Sequence, residues 1–170
     1  MLFKTQNLFI RELKDTDLDA FCEMQGNPNV MRYVGGKVDT RDECQTQIRD
    51  LQAAYTKPNP NLLVWAVCQQ SDGAFVGTAA IVYYKNGDHE IGYRFLERYW
   101  GKGYGKEVAN GLIDYAIHDL QLSNVVAYVD KKNLASVKIL DQSALPFQKE
   151  YFNKDDNCMD RMYRWERGKV

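Results

Sequence analysis

Between residues 100 and 107 the chain reads Trp100-Gly101-Lys102-Gly103-Tyr104-Gly105-Lys106-Glu107, a stretch whose composition suits the binding of an anion. Three glycines at alternate positions let the backbone reach torsions that other residues resist, so successive N–H groups can converge on one concavity. The periodic segment that follows reads as a helix. Its unpaired first-turn amides and the positive end of its dipole add to the same site, which suits a phosphate or pyrophosphate. Two familiar phosphate motifs do not fit. A Walker loop needs four residues between its first glycine and a Gly-Lys pair followed by Ser or Thr, whereas Gly101 and Gly105 enclose three and Glu107 follows Lys106. The dinucleotide pattern Gly-x-Gly-x-x-Gly is not supplied by Gly101, Gly103 and Gly105 either. Taken alone, the stretch is equally a plain connecting turn. Glu90 is the second candidate: a carboxylate near the start of a strand can serve as a general base if burial raises its pKa, or be an exposed strand-end charge.

These residues need a scaffold, and the pattern around them supplies one. Leu8 to Leu13 reads as a first strand, with Asp15 or Thr16 as the cap of a helix carrying Leu18, Phe21, Cys22 and Met24. Gly26-Asn27-Pro28-Asn29 stops that helix. A short one follows through Val30, Met31 and Tyr33 before Gly35-Gly36, and Thr40 with Glu43 forms a capping box for a third helix through Tyr55. Strands are predicted at Leu62–Cys68, Phe75–Tyr84 and His89–Leu96, joined by the turns at Asp72-Gly73 and Asn86-Gly87-Asp88. In the last of these a regular pleat puts His89 on the face opposite Glu90. Val108, Leu112, Tyr115, Ala116 and Leu120 then mark one buried face of a long helix, near whose end His118 sits favourably against the dipole. Strands at Val125–Val129, Phe147–Phe152 and Met159–Glu166, with a short helix from Asn133 to Leu140, complete an antiparallel-dominated α/β (α+β) domain of about seven strands spanning residues 1–170.

Composition bounds the function. At 170 residues the chain can bury roughly 70% of its unfolded surface. Lys plus Arg (22) nearly balances Asp plus Glu (23), so no charge footprint for nucleic acid or an anionic membrane is expected. Cys22, Cys44, Cys68 and Cys158 are widely spaced without a Cys-x-x-Cys pair; reduced thiols, no metal and a cytoplasmic location are the expectation. The opening Met1-Leu2-Phe3-Lys4-Thr5 lacks the long apolar region of a signal peptide, and no apolar run approaches a membrane span.

The order of elements, with the glycine turn between the fourth strand and the long helix, resembles the GNAT superfamily of N-acetyltransferases over nearly the whole chain. Within it the chain is similar to the ribosomal-protein N-terminal acetyltransferase branch (the RimJ and RimL type) at Glu90-Ile91-Gly92-Tyr93, at Tyr99-Trp100-Gly101-Lys102-Gly103-Tyr104 and at Asn133-Leu134-Ala135-Ser136. The resemblance implies acetyl-CoA as co-substrate. Backbone amides of Gly101, Lys102, Gly103, Tyr104, Gly105 and Lys106 would hold its pyrophosphate, and backbone groups of Tyr93, Arg94 and Phe95 would pair with its pantetheine arm as an added strand does. It also implies that Asn133 hydrogen-bonds the coenzyme arm, although an asparagine there is equally a helix N-cap. Ser136 falls where the branch carries a serine close to the thioester, a candidate donor to the departing thiolate or else a first-turn helix serine. Many members place a tyrosine seven residues after the asparagine; here that residue is Leu140. The Leu-Gly-Phe turn usual after that block is replaced by Asp141-Gln142-Ser143-Ala144-Leu145-Pro146-Phe147, which alters the substrate side more than the coenzyme side.

The implied reaction is direct transfer of acetyl to a primary amine, with Glu90 as general base. An amine of lysine type has a pKa near 10.4 and costs roughly 4 to 5 kcal/mol to deprotonate at pH 7, while an α-amino group near 7.8 costs about 1 kcal/mol. The acceptor is expected to be a small-molecule or peptide amine, and the protein a monomer or homodimer. The alternative is a weakly active or inactive acyl-CoA-binding sensor or partner-binding protein, prompted by the missing tyrosine and the altered turn.

Overall fold

The β-branched and aromatic runs become strands of one eight-stranded sheet in a computed structural model that describes residues 1–35 and 37–168. The strands are β1 (Phe3–Lys4), β2 (Leu8–Glu12), β3 (Leu62–Gln69), β4 (Phe75–Tyr83), β5 (His89–Phe95), β6 (Asn124–Asp130), β7 (Phe147–Asn153) and β8 (Cys158–Glu166). They lie in the order β1-β2-β3-β4-β5-β6-β8-β7, antiparallel throughout except for the parallel β5–β6 pair. The eighth strand, absent from the sequence reading, is the two-residue β1, which pairs Phe3 with Ile10 and is too short to display a period.

Among the described residues five α-helices cover the two faces: α1 (Leu18–Gln25), α2 (Pro28–Met31), α3 (Arg41–Ala54), α4 (Tyr104–Asp114) and α5 (Leu134–Asp141). The capping box of α3 is formed as the sequence indicates, Thr40 and Glu43 each taking the other's backbone amide. The start of α1 differs. Residues Asp15–Asp17 form a 3-10 turn, and the Asp17 carboxylate accepts from the Lys14 amide (2.8 Å) and pairs with Arg11 (2.7 Å), so neither Asp15 nor Thr16 caps the helix by its side chain. The long helix also changes character: after Asp114 it widens into a π-turn, Tyr115–Asp119, that buries Ala116 and Ile117.

Strand alternation divides the interior into two cores. On the α4 side, Ile10, Trp65, Val67, Ile91 and Phe95 pack with Val108 and Leu112. On the other, Phe21, Met24, Cys44 and Ile48 from α1 and α3 pack on Ala66 and Cys68. β5 lies mid-sheet, with Ile91 and Phe95 of one face in the α4-side core and Glu90, Gly92 and Arg94 on the other face.

Candidate active site

The sheet is open at its centre. On one side β5 stays paired with β4 from His89 to Phe95, but on the other it meets β6 in register at Glu90 and Val126 alone. Beyond that point the two strands part. The Leu96 amide donates to Val76 O (3.0 Å), so by alternation Arg94 and Gly92 turn their backbone groups to β4 while Tyr93 turns its N–H and C=O into the gap. The Phe95 carbonyl, which also faces the gap, accepts the Trp100 indole N–H at 3.0 Å. A mid-sheet strand thus presents free edge groups at Tyr93, where an extended ligand can pair.

The glycine turn lies just past the end of β5. Gly101 (φ 74°) and Gly103 (φ 82°) hold the left-handed torsions that glycine alone adopts cheaply, and a Cβ at either would meet nothing within 4 Å. Gly105 does something else. It is an ordinary helical residue whose missing side chain makes room for α5: a Cβ there would lie 2.8 Å from Ile139 Cδ1. The first amide of α4 to bond back is that of Glu107, to Gly103 O (3.1 Å), so amides from Gly101 to Lys106 have no partner among the described residues. Glu107, the one acid of this first turn, is drawn away from them by Thr5 Oγ1 and by the Asn7 amide (2.6 Å) and Asn7 Nδ2 (2.9 Å). Lys102 rests its ammonium over the Tyr99 ring (4.9 Å), and Lys106 reaches Gln142 (3.3 Å). The result is an open, positively biased concavity of backbone donors.

Facing it, α5 begins at Asn133, whose Oδ1 accepts from the Ser136 amide (3.3 Å); its Nδ2 has no partner among the described residues. Ser136, half-buried, stands near Tyr93. The Tyr93 hydroxyl is sealed from solvent and unbonded among the described residues. Burial pushes this phenol up, and the neighbouring Ser136 hydroxyl moderates the shift without the alignment of a full hydrogen bond.

A cavity of about 1270 Å³ passes through the opening. Asn133, Ser136, Tyr93 and Leu140 line it on the α5 side; Glu90, Gly92 and Arg94 line it toward α1–α3, with Thr78, Ala80 and Val82 of β4. Glu90 accepts from Tyr84 Oη at 2.6 Å, and burial raises its carboxyl despite that hydrogen bond. His89 is on the opposite face, as the pleat requires. Its amide donates to Asn124 Oδ1 (3.2 Å), Nδ1 lies 3.1 Å from Asn124 O, and its ring packs edge-on to Tyr83. Of the four cysteines, all unpaired, Cys158 lines the cavity, but burial and the adjacent Asp160 push its thiol up to about 11, so it is a poor nucleophile at neutral pH.

Comparison with known proteins bears on this arrangement directly. Residues 7–143 match the family model described as the acetyltransferase (GNAT) domain. The chain belongs to the GNAT acetyltransferase family. The uncharacterized N-acetyltransferase p20 of Bacillus licheniformis is 31% identical to it over 158 residues, covering 89% of this chain and 84% of the relative. In fold, this GNAT protein is similar to RimL, a ribosomal-protein alpha-N-acetyltransferase solved with coenzyme A (TM-score 0.82, 13% identity, 97% of each chain). It is also similar to spermidine N-acetyltransferase from Vibrio cholerae, solved with CoA and spermine (TM-score 0.78, 16% identity, 95% of this chain and 96% of that one). Within the GNAT frame, the structure brings Glu90, Tyr93, Asn133 and Ser136 to one cavity, with the turn of Gly101 to Lys106 beyond its lining. Tyrosines at 33, 55, 83, 84 and 93 are those the sequence offers for an aromatic-lined cleft, and Tyr33, Tyr84 and Tyr93 line the cavity; the bond from Tyr84 to Glu90 and the side chain of Arg94 escape sequence reasoning. Alternation along His89–Phe95 would have put Arg94 on the face of Glu90, a charge in an otherwise largely apolar strand.

Proposed function

We propose that this protein is an acetyl-CoA-dependent N-acetyltransferase that transfers acetyl to a primary amine directly. The carrying observation is the cavity through the opened sheet, with free backbone donors on the α4–α5 side and the half-buried carboxylate of Glu90 on the other. Unpaired amides from Gly101 to Lys106 receive the pyrophosphate, the Tyr93 backbone pairs with the pantetheine arm, and Asn133 Nδ2 adds a donor. Arg94 and Phe95 of the same strand contribute less by backbone, since one faces β4 and the other is engaged by Trp100.

The acceptor amine enters from the α1–α3 side. Its nitrogen attacks the thioester carbonyl, the C–N bond forms, the C–S bond breaks, and the amine proton passes through water to Glu90, whose raised pKa suits it as acceptor near neutrality. Ser136 passes a proton to the leaving thiolate and takes one back from water, at the end of the cavity where Leu140 supplies none.

Calorimetric titration with acetyl-CoA, followed by release of free CoA thiol across a panel of amines, tests this reading. Micromolar binding and turnover that falls in Glu90→Gln and Ser136→Ala support it. Binding without turnover on any amine points to the sensor alternative, and absence of binding removes the acetyltransferase assignment.

A further inference from the structure

Arg94 is the one charged side chain on β5 besides Glu90, four residues away on the same face. Its Nη1 donates to Gln25 Oε1 and to Met31 Sδ (3.4 Å), tying β5 to α1 and α2. Gln25 is itself braced by Gln47 (3.1 Å) and Asp39 (3.4 Å). Among the described residues no carboxylate lies within ion-pair distance of Arg94; Asp39, the acid whose charge reaches it, is already engaged by Gln47 (2.7 Å) and Lys37 (3.6 Å). A guanidinium carries five N–H donors. Nε and Nη2 of Arg94 have no protein partner among the described residues, and Arg94 lines the cavity. Burial disfavours the charge, which makes an anionic partner more valuable here than on the surface.

We propose that Arg94 is the acceptor's anchor: it holds a carboxylate, so the acceptor is an amine that also carries an anionic group, with the amine at Glu90 and the carboxylate at Arg94. The inference rests on the acetyltransferase reading above. Two residues four apart on one face of a strand stand about 13 Å apart at Cα, and Glu90 and Arg94 both line the one cavity, which leaves room for a short chain joining the two groups. The charge pattern gives the orientation. Asp160, whose charge reaches Glu90, attracts an ammonium there, while Arg32 at the end of α2 joins Arg94 in the lining, which on α3 also holds Asp50. A diamine of the same length would set its second cation against a guanidinium, an unfavourable contact that selects against it.

The experiment measures kcat/KM with acetyl-CoA for ω-amino acids from glycine to 8-aminooctanoate, beside alkylamines and α,ω-diamines of matched length. It uses the parent, Arg94→Lys and Arg94→Met, each shown to melt cooperatively and to bind acetyl-CoA. The expected result is one preferred ω-amino acid with an advantage of roughly tenfold or more over its matched alkylamine, the scale of a bidentate charge-assisted contact. That advantage shrinks in Arg94→Lys and vanishes in Arg94→Met, the loss of kcat/KM being at least tenfold larger for the preferred ω-amino acid than for its matched alkylamine. Equal or better use of alkylamines or diamines by the parent overturns the proposal, as does a loss in Arg94→Met that is the same for every amine, which would make Arg94 only a tie between strand and helices. Acetyl-CoA binding with no amine turned over, in contrast, removes the transferase reading itself and the acceptor assignment with it.

Discussion

Gly103→Ala separates the conformational role of the glycine turn from its role as a ligand cradle. Gly103 has φ 82° and precedes α4, and the added methyl would meet nothing within 4 Å, so its cost is torsional rather than steric. A left-handed torsion costs an alanine about 1–2 kcal/mol, and in a chain of this size each kcal/mol lowers Tm by about 2–4 °C, which gives a fall of roughly 2–8 °C. Gly73→Ala is the matched control: φ 75°, open space around the Cβ, and a place in the β3–β4 hairpin away from the cavity. If amides around Gly103 hold acetyl-CoA, the two variants differ once ligand is added. At a hundred times its Kd the ligand stabilises the parent by about 2.7 kcal/mol, and a tenfold weaker Kd forfeits about 1.3 kcal/mol of that. Thermal scans with and without acetyl-CoA should therefore show the gap to the parent widening by about 3–5 °C for Gly103→Ala and not at all for Gly73→Ala. A gap that ligand leaves unchanged in both variants would refute the placement of the coenzyme at this turn.

Other substitutions probe the opposite side of the cavity and the support of the turn. Glu90→Gln should lower kcat/KM by roughly 100-fold or more for an amine of lysine type and by less for an α-amine, because only the former needs a proton removed at large cost; equal small losses on both would dismiss Glu90 as base. Activity should fall as pH drops through the raised pKa of Glu90, and Tyr84→Phe should move that acid limb to higher pH, since the lost hydroxyl donates to the charged carboxylate and holds its pKa down. A pH–rate profile that Tyr84→Phe leaves in place contradicts the coupling. Burial alone would raise Glu107, but the bonds from Thr5 and Asn7 outweigh it and lower its pKa. Its stabilising contribution is therefore complete above the ordinary glutamate value of about 4.3 and lost as pH falls through the lower folded value. Glu107→Ala should cost about 1 kcal/mol at neutral pH and nothing in strong acid, as read by denaturant melts at the two pH values.

Much of this architecture is legible in the residues because the signals are local. Thr40 and Glu43 announce α3, the Asp72-Gly73 and Asn86-Gly87 pairs mark the hairpins on either side of β4, and positive φ at Gly101 and Gly103 is what a glycine-rich turn implies. What stayed hidden depends on partners distant in the chain. Asp17 is drawn to Arg11 rather than capping α1, β8 inserts between β6 and β7, and the lack of a side chain at Gly105 makes room for Ile139 on another helix. The cavity is hidden for the same reason: Gln25 and Arg94 are 69 residues apart, and nothing in either segment indicates that they meet.

The parting of β5 and β6 also makes this sheet incomplete in the free protein. A strand in the middle of a sheet would ordinarily have slowly exchanging amides along its length. Here the Tyr93 N–H, at the middle of the sheet, is left without a ladder partner and should trade its hydrogen with solvent at the pace of a peripheral strand. On the proposed reading the coenzyme arm that pairs with it serves as a segment of sheet, so that loading the coenzyme and finishing the fold become one event.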